Sequence, residues 1–197
     1  MYQSQSSKYL DLLQPLGLFR LAQAKEVGVP QSSLSWLVSK GEITKIGPDA
    51  YHHKDIHIDP QDVDFAVACL VFGDKATIGG ASALFFYNLI EQIPNQIWVL
   101  VSPNTTTHNK MFKLIRTKTS LELGIDTHEW FRITSIERTI VDAFRFQTKL
   151  GGIEMALKAA RIAIKEKHVT SKGLLNAANE LNWSRQFLSY WEAITID

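Results

Sequence analysis

Apolar and polar positions over the first 56 residues predict three short helices followed by a β-hairpin. The helical periods cover residues 7–14, 21–27 and 31–40, and each is followed by a glycine or a proline. Residues 43–46 then alternate apolar and polar, and the turn Gly47-Pro48-Asp49 leads into a second strand at residues 50–53. This order is typical of a winged helix-turn-helix domain, which we predict for residues 1–56.

The remaining residues, 57–197, have the mixed pattern of an α/β domain that ends in helices. Asp59 and Pro60 have the capping and first-turn preferences of a helix start. Strands are predicted at residues 76–78, 97–101 and 111–119, a helix at 81–87, and further helices after Thr134 with breaks at Gly151-Gly152, near Thr170 and at Asn182. We therefore predict an α+β fold, an N-terminal winged helix-turn-helix followed by a mixed α/β domain with a helical end.

The third predicted helix separates into an apolar stripe and a polar face. On a helical wheel of about 100° per residue, Leu34, Leu37 and Val38 form the stripe, and Trp36 lies about 150° from its centre. Small hydroxyl side chains let a helix enter the major groove of DNA, and Lys40 and Lys45 are placed to meet phosphates. The predicted DNA-binding residues are Ser32, Ser35, Trp36, Ser39, Lys40 and Lys45. The alternative is a protein-interaction winged helix in which Trp36 packs on the second domain.

The charge balance neither indicates nor excludes a nucleic-acid partner. The chain has 21 basic and 20 acidic residues, a net charge of +1, and residues 1–56 hold six basic and five acidic groups. One copy of such a domain supplies few phosphate contacts. Since specific affinities of about 10⁻⁸ M usually come from paired half-sites, we expect two or more copies to bind DNA together.

The sequence also indicates the cellular compartment in which we expect the protein. Residues 1–5 lack the basic and apolar regions of a secretory signal, and no stretch approaches the ~18 apolar residues of a membrane span. Cys69 is the single cysteine and lies in the apolar run 65–72, which excludes a disulfide framework. We expect a cytoplasmic protein that does not contact a membrane.

Motifs for catalysis or for a cofactor are weak. His52, His53 and His57 lie close together, yet no cysteine or carboxylate spacing completes a tetrahedral metal site. Gly79-Gly80 lacks the further glycine and lysine of a phosphate-binding loop. We therefore expect no metal, no cofactor and no enzymatic activity.

One helix start in the second domain carries a charged pair. Thr134 and Glu137 have the spacing of a capping box, in which each side chain bonds the other residue's backbone amide. Arg138 and Asp142 are four residues apart and can pair on one helical face. A catalytic arginine–aspartate pair is the alternative, although no second acid or nucleophile accompanies it at a recognisable spacing.

Two segments of the second domain are rich in basic residues. Residues 105–120 contain four cations and no acid, and Lys158, Arg161 and Lys165 share a helical face with Glu154. Such faces are usually solvated. The alternative is a contact surface for DNA phosphates or for an acidic protein.

Several short motifs follow one another in a distinctive order over most of the chain. They are Gly28-Val29-Pro30 with Leu34, Leu37-Val38 and Lys40-Gly41, then residues 78–84 (IGGASAL), 97–101 (IWVLV) and 135–142 (SIERTIVD). Their order and spacing resemble the AbiEi antitoxins of the AbiE type IV toxin–antitoxin systems, a bacterial family of winged-helix regulators. The sequence departs from similar ones at Ala50, where glycine often precedes the tyrosine, and at Tyr87-Asn88, where a histidine–glycine pair is common.

The resemblance implies a repressor whose N-terminal domain binds inverted repeats in the promoter of its own operon. It also implies a C-terminal domain that neutralises a nucleotidyltransferase toxin encoded beside it, without a stable complex, in bacterial phage defence. The stripe Lys158, Arg161 and Lys165 is the candidate antitoxicity surface. A stand-alone winged-helix regulator is the alternative. A relative of Vsr-like endonucleases is less favoured, because the chain ends in helices without the acidic strand cluster such a nuclease needs.

Overall fold

The structure, a computed structural model, describes residues 5–195 and divides between Asp74 and Lys75 into two compact units. The first unit contains helices α1 (Gln5–Leu13), α2 (Leu21–Glu26), α3 (Gln31–Ser39) and α4 (Val63–Phe72), with a short 3₁₀ turn at Gln14–Leu16. Its strands β1 (Leu18–Phe19), β2 (Ile43–Gly47) and β3 (Ala50–His53) form an antiparallel sheet in the order β1-β3-β2. The three helices and the hairpin are those of the predicted winged helix-turn-helix.

An apolar core fixes the orientation of α3. Leu34 and Leu37 of the predicted stripe are buried together with Phe19 of β1 and Ile43 of β2, and Val38, its third member, is partly buried against them. Full burial of each such side chain contributes about 1.5–3 kcal/mol relative to exposure, so the helix is held by this stripe. The helix ends before Gly41, whose φ of +73° favours glycine.

The boundary between the units lies eighteen residues later than the sequence-based boundary at 56/57. The reason is α4, which packs on β2 and β3 and thus belongs to the first unit. A Cβ on Gly47 would lie 3.2 Å from Val67 Cγ1, so strand and helix approach closely there. The predicted helix start at Asp59 is also wrong, because α4 begins at Val63.

The second unit combines a five-stranded sheet with helices. Its strands are β4 (Thr77–Ile78), β5 (Ile97–Val101), β6 (Phe112–Arg116), β7 (Ile125–Thr127) and β8 (Arg132–Thr134). Its helices are α5 (Gly80–Phe86), α6 (Ile136–Arg145), α7 (Ile153–Lys165), α8 (Ser171–Glu180), α9 (Ser184–Leu188) and α10 (Trp191–Thr195). The sheet order is β6-β5-β4-β8-β7, which makes it mixed: β5–β6 and β4–β8 are parallel, and the other two pairs are antiparallel.

Strand β5 lies inside this sheet, and all five of its residues are buried, as its unbroken apolar run predicts. Trp98 of β5 packs on the backbone at the start of α5. A Cβ on Gly80 would lie 2.7 Å from the Trp98 ring, and Gly80 has a φ of +53°, so this position requires glycine. The contact fixes α5 on the sheet.

The sequence also misplaces the start of α6. Ser135, not Thr134, is the capping residue, and its Oγ accepts a hydrogen bond from the Arg138 amide. The Thr134 hydroxyl instead lies 2.7 Å from the Thr139 hydroxyl. The predicted capping box of Thr134 and Glu137 is therefore wrong, because Thr134 is still part of strand β8.

At the end of α5, Asn88 has a φ of +57°, a left-handed conformation that asparagine tolerates better than most residues. The breaks predicted in the helical end lie where α7 and α8 begin and where Asn182 turns with a φ of +54°. Within residues 5–195, no helix has both the length and the apolar character required to cross a bilayer.

Candidate nucleic-acid interface

The polar face of α3 is exposed to solvent as the helical period predicts. The four predicted residues of this helix, Ser32, Ser35, Trp36 and Ser39, and Lys40, which caps it, are all exposed, whereas Leu34 and Leu37 are buried. Trp36 is 46% exposed, which is unusual for so large an apolar side chain. Because the opposite stripe is buried in the core, this face is available to a partner.

Trp36 has two local contacts that define its surroundings. The ammonium nitrogen of Lys40 lies 5.8 Å from the centre of the Trp36 ring, within the range of a cation–π interaction. The Ser39 hydroxyl donates a hydrogen bond of 2.7 Å to the Trp36 carbonyl, so its proton is engaged and its oxygen is left to accept. A shallow depression beside Trp36 is also lined by residues of α1 that sequence reasoning missed: Gln5, Ser6 and Tyr9.

Lys45, the predicted wing residue, is exposed on β2 opposite Tyr51 of β3. Its ammonium nitrogen lies 5.8 Å from the Tyr51 ring centre. Tyr51 in turn stacks on the buried Phe19 ring, with centroids 5.9 Å apart. The wing lysine is thus placed over a half-buried ring that packs against the core.

The turn of the β2–β3 hairpin is hydrogen-bonded to the start of α2. Asp49 accepts hydrogen bonds from Arg20 Nε and from the Leu21 amide, each 2.9 Å long. The Arg20 amide is bonded by Gln23 Oε1 at 2.8 Å, which completes the cap of α2. Asp49 was predicted only as a turn residue, and its partners lie too far away in sequence for a local pattern to indicate them.

The basic side chains of the first unit differ in whether they form an ion pair with a carboxylate. Arg20 is paired with Asp49, and Lys54 lies 2.7 Å from Glu42, a contact that raises the pKa of Lys54. Over the described part of the chain, neither Lys40 nor Lys45 has such a carboxylate partner. Among the described residues of α3 and the hairpin, these two lysines are therefore the cations that stay outside an ion pair.

In the second unit, the basic face of α7 is less open than its sequence predicts. Lys158, Arg161 and Lys165 are all exposed. However, the Lys158 ammonium lies 3.1 Å from Glu91, and Arg161 donates a 2.7 Å hydrogen bond to the Ala193 carbonyl of α10. Arg161 and Lys165 line two shallow depressions together with apolar side chains such as Leu157 and Ile194.

Arg138 and Asp142 form a buried ion pair, each about 1% exposed, rather than the surface pair that helix spacing alone suggests. Arg138 Nε donates to Asp142 at 3.2 Å, and its Nη1 donates to the carbonyls of Ser120 and Leu123. Arg145 bonds the other oxygen of Asp142 at 2.6 Å. Burial lowers the pKa of Arg138, and the charge of Asp142 opposes this shift. Through these bonds Arg138 connects the loop before β7 to α6. This structural role is sufficient to explain the buried pair.

The histidines do not assemble into a metal site. His52 and His53 are buried, and His53 Nδ1 accepts a hydrogen bond from the Asp55 amide at 3.3 Å. Residues 5–195 contain no group of three or more histidine, cysteine or acidic side chains arranged to hold an ion.

Comparison with known families addresses the first unit. Residues 7–51 match the AbiEi antitoxin family of transcriptional regulators. The resemblance that the motif order indicates is thereby confirmed over these residues. The AbiEi match contains all six predicted DNA-binding residues together with Arg20, Asp49 and Tyr51. The α7 face and the Arg138 network lie outside it.

The fold of the whole chain has a counterpart among solved structures. The crystal structure of the RV2827C protein from Mycobacterium tuberculosis superposes with a TM-score of 0.55, over 91% of this chain and 72% of that one, at 9% sequence identity. This likeness supports the α+β architecture beyond the AbiEi match and carries no functional information. The comparison with curated protein sequences gives no match.

Proposed function

We propose that the first unit binds promoter DNA through α3 and the hairpin, and that the protein represses its own operon as a type IV antitoxin. The observation that carries the proposal is the exposed serine, tryptophan and lysine face of α3 within the segment that matches AbiEi regulators. The described order of helices and hairpin is the one in which a recognition helix enters the major groove.

Each part of this face has a distinct role in the proposal. Ser32 and Ser35 are short enough for α3 to approach base edges, with which a hydroxyl bonds as donor or acceptor. Trp36 supplies an apolar surface for a thymine methyl group. Lys40 and Lys45 contact the phosphates on either side and fix the register of the helix.

We further propose that two or more copies bind together on inverted repeats. With only these two lysines offered by α3 and the hairpin, one copy releases few counterions and has modest affinity. Footprinting of the upstream region should show paired protections about one helical turn, or a multiple of it, apart. Saturation of a single isolated half-site without cooperativity would contradict the paired arrangement.

DNA recognition is tested by Trp36→Ala in the full chain. In gel-shift titrations, the wild-type protein should retard its own upstream DNA more strongly than a scrambled duplex of equal length. The variant should lose about fivefold or more of this preference, roughly 1 kcal/mol, as expected for one base contact. Leu188→Ala, another exposed large apolar residue, is the matched control and should bind like wild type. If both variants bind like wild type, α3 does not read the sequence through Trp36.

The antitoxin part of the proposal assigns neutralisation of a nucleotidyltransferase toxin to the second unit, without a stable complex, in the bacterial cytoplasm. Lys158, Arg161 and Lys165 are the proposed surface, because they are exposed and their reversal leaves the core intact. Co-expression with the nucleotidyltransferase of the adjacent gene should restore growth, and the triple glutamate variant should not. No rescue by folded wild-type protein would remove the antitoxin assignment and leave a stand-alone regulator.

A further inference from the structure

The second unit contains a cavity of about 230 Å³ that opens between the segment after α5 and the start of α7. Small-molecule clefts usually measure about 300–1,000 Å³, so this cavity accepts a compact ligand rather than a macromolecular segment. Its lining includes Trp98 of β5, Lys113 of β6, and Ile93, Lys149 and Met155 from the neighbouring segments.

The floor of the cavity is fixed before any ligand arrives. Trp98 is 7% exposed, its ring lies against the backbone of Gly80, and its amide donates a 2.9 Å hydrogen bond to the Ser82 hydroxyl. A pre-formed aromatic floor lowers the ordering cost of binding.

Part of the lining is apolar and open to solvent, and the amide side chains of Gln92, Asn95 and Gln96 also line the cavity. Ile93 is 70% exposed, which makes it the most exposed large apolar residue in the described part of the chain. Met155 lies on the α7 side, and its flexible thioether adapts to ligands of different shape. Ile93 and Met155 thus offer apolar surface that water solvates poorly.

The charge in the cavity has one sign. Lys113 and Lys149 line it, and no aspartate or glutamate occurs among the lining residues that the structure describes. The Lys113 ammonium lies 4.3 Å from the centre of the Trp98 ring. The neighbouring acid, Glu91, is engaged by Lys158 at 3.1 Å, and within residues 5–195 neither cavity lysine has a carboxylate partner.

We propose that this cavity binds a small organic anion with a ring-sized apolar body. The apolar body lies against Ile93, Met155 and the small exposed part of Trp98, and the carboxylate or phosphate group pairs with Lys113 and Lys149. The site lies outside the segment that matches AbiEi regulators and does not depend on DNA binding or on antitoxin activity.

Calorimetric titration of the full chain tests the proposal. The probes are 4-phenylbutyrate, 3-phenylpropyl phosphate and the neutral 4-phenyl-1-butanol, which share a phenylalkyl body. At least one of the two anions should bind with a Kd of about 1 mM or tighter, and the alcohol should bind at least tenfold more weakly. The anion with the lower Kd shows whether the cavity prefers a carboxylate or a phosphate group. No saturable binding of either anion, or equal binding of the alcohol, would overturn the site.

Single substitutions of cavity residues test whether the anion binds in this cavity. Lys149→Gln and Ile93→Asp alter exposed side chains and should each raise the Kd of the anion about tenfold. The circular dichroism spectrum of each variant should match that of wild type, which shows that the fold is intact. Lys113→Gln should do the same. Lys172→Gln, an exposed lysine of α8, is the control and should bind like wild type. If Lys149→Gln and Ile93→Asp bind like wild type, or Lys172→Gln is equally weakened, the anion is not bound in this cavity.

Discussion

Asp49 in the turn between β2 and β3 bonds Arg20 at the start of α2, with 2.9 Å between Oδ2 and Nε. The same carboxylate accepts from the Leu21 amide through its other oxygen. The hairpin turn is therefore held on α2 rather than projecting as a long separate wing. The position of Lys45 relative to α3 is set by this contact as well as by strand pairing.

Asp49→Ala should lower the free energy of unfolding of the first unit by about 1–2 kcal/mol, because it removes a helix-capping hydrogen bond and a half-exposed ion pair. Urea unfolding followed by circular dichroism measures the loss. Asp59→Ala removes an exposed carboxylate of the same unit and should cost much less. Equal losses for the two variants would show that the turn is not fastened through Asp49.

Lys40→Ala and Lys45→Ala should each weaken binding to all DNA sequences and reduce the salt dependence by about one unit of slope, as the loss of one phosphate contact does. Titrations at several salt concentrations measure the slope. Lys54→Ala is the control in the same unit, because Lys54 is already paired with Glu42. A slope unchanged in both test variants, or changed as much in the control, would place the phosphate contacts elsewhere.

Arg138→Met should destabilise the second unit by about 3–5 kcal/mol, because it leaves the buried Asp142 with a single cationic partner and frees two loop carbonyls. Chemical denaturation of the full chain measures this loss. Arg185→Met, at an exposed position, should change the stability by less than about 0.5 kcal/mol. A loss below about 1 kcal/mol for Arg138→Met would mean that the network does not hold the loop.

The raised pKa of Tyr87 predicts that the protein loses stability at alkaline pH. Its hydroxyl donates to Asp126 and to the Thr134 carbonyl, and burial, followed by the charge of Asp126, raises the pKa of Tyr87 well above that of a free phenol. The folded state thus retains a proton that the unfolded chain loses above about pH 10, so stability declines as the pH rises beyond that value.

Thermal melts between about pH 8 and pH 11 should show a shallower alkaline decline for Tyr87→Phe than for wild type, since the titrating group is removed. Tyr190→Phe is the comparison, because the Tyr190 hydroxyl is bonded by the Gln147 amide rather than by a carboxylate. The same alkaline decline in Tyr87→Phe and wild type would contradict the role of Tyr87.

Helix α3 shows what the sequence determined by itself. Its apolar stripe, its exposed face and its end at Gly41 follow from periodicity and glycine preference over a few residues, and the structure agrees, except that Val38 of the stripe is only half-buried. The unbroken apolar run of β5 and the helix break at Asn182 were likewise predictable, because each depends on the side chains of a short segment.

Only the tertiary structure decided the features that join distant segments. Strands β7 and β8 have three residues each, too few for a period, and exist because β8 pairs with β4. The apolar α4 joins the first unit because β2 and β3 offer it a surface, which no pattern within α4 shows. The spacing of Arg138 and Asp142 indicated their pairing, but their burial depends on a loop that ends near residue 124. Local preferences act within one helix or strand, whereas burial depends on which segments pack together.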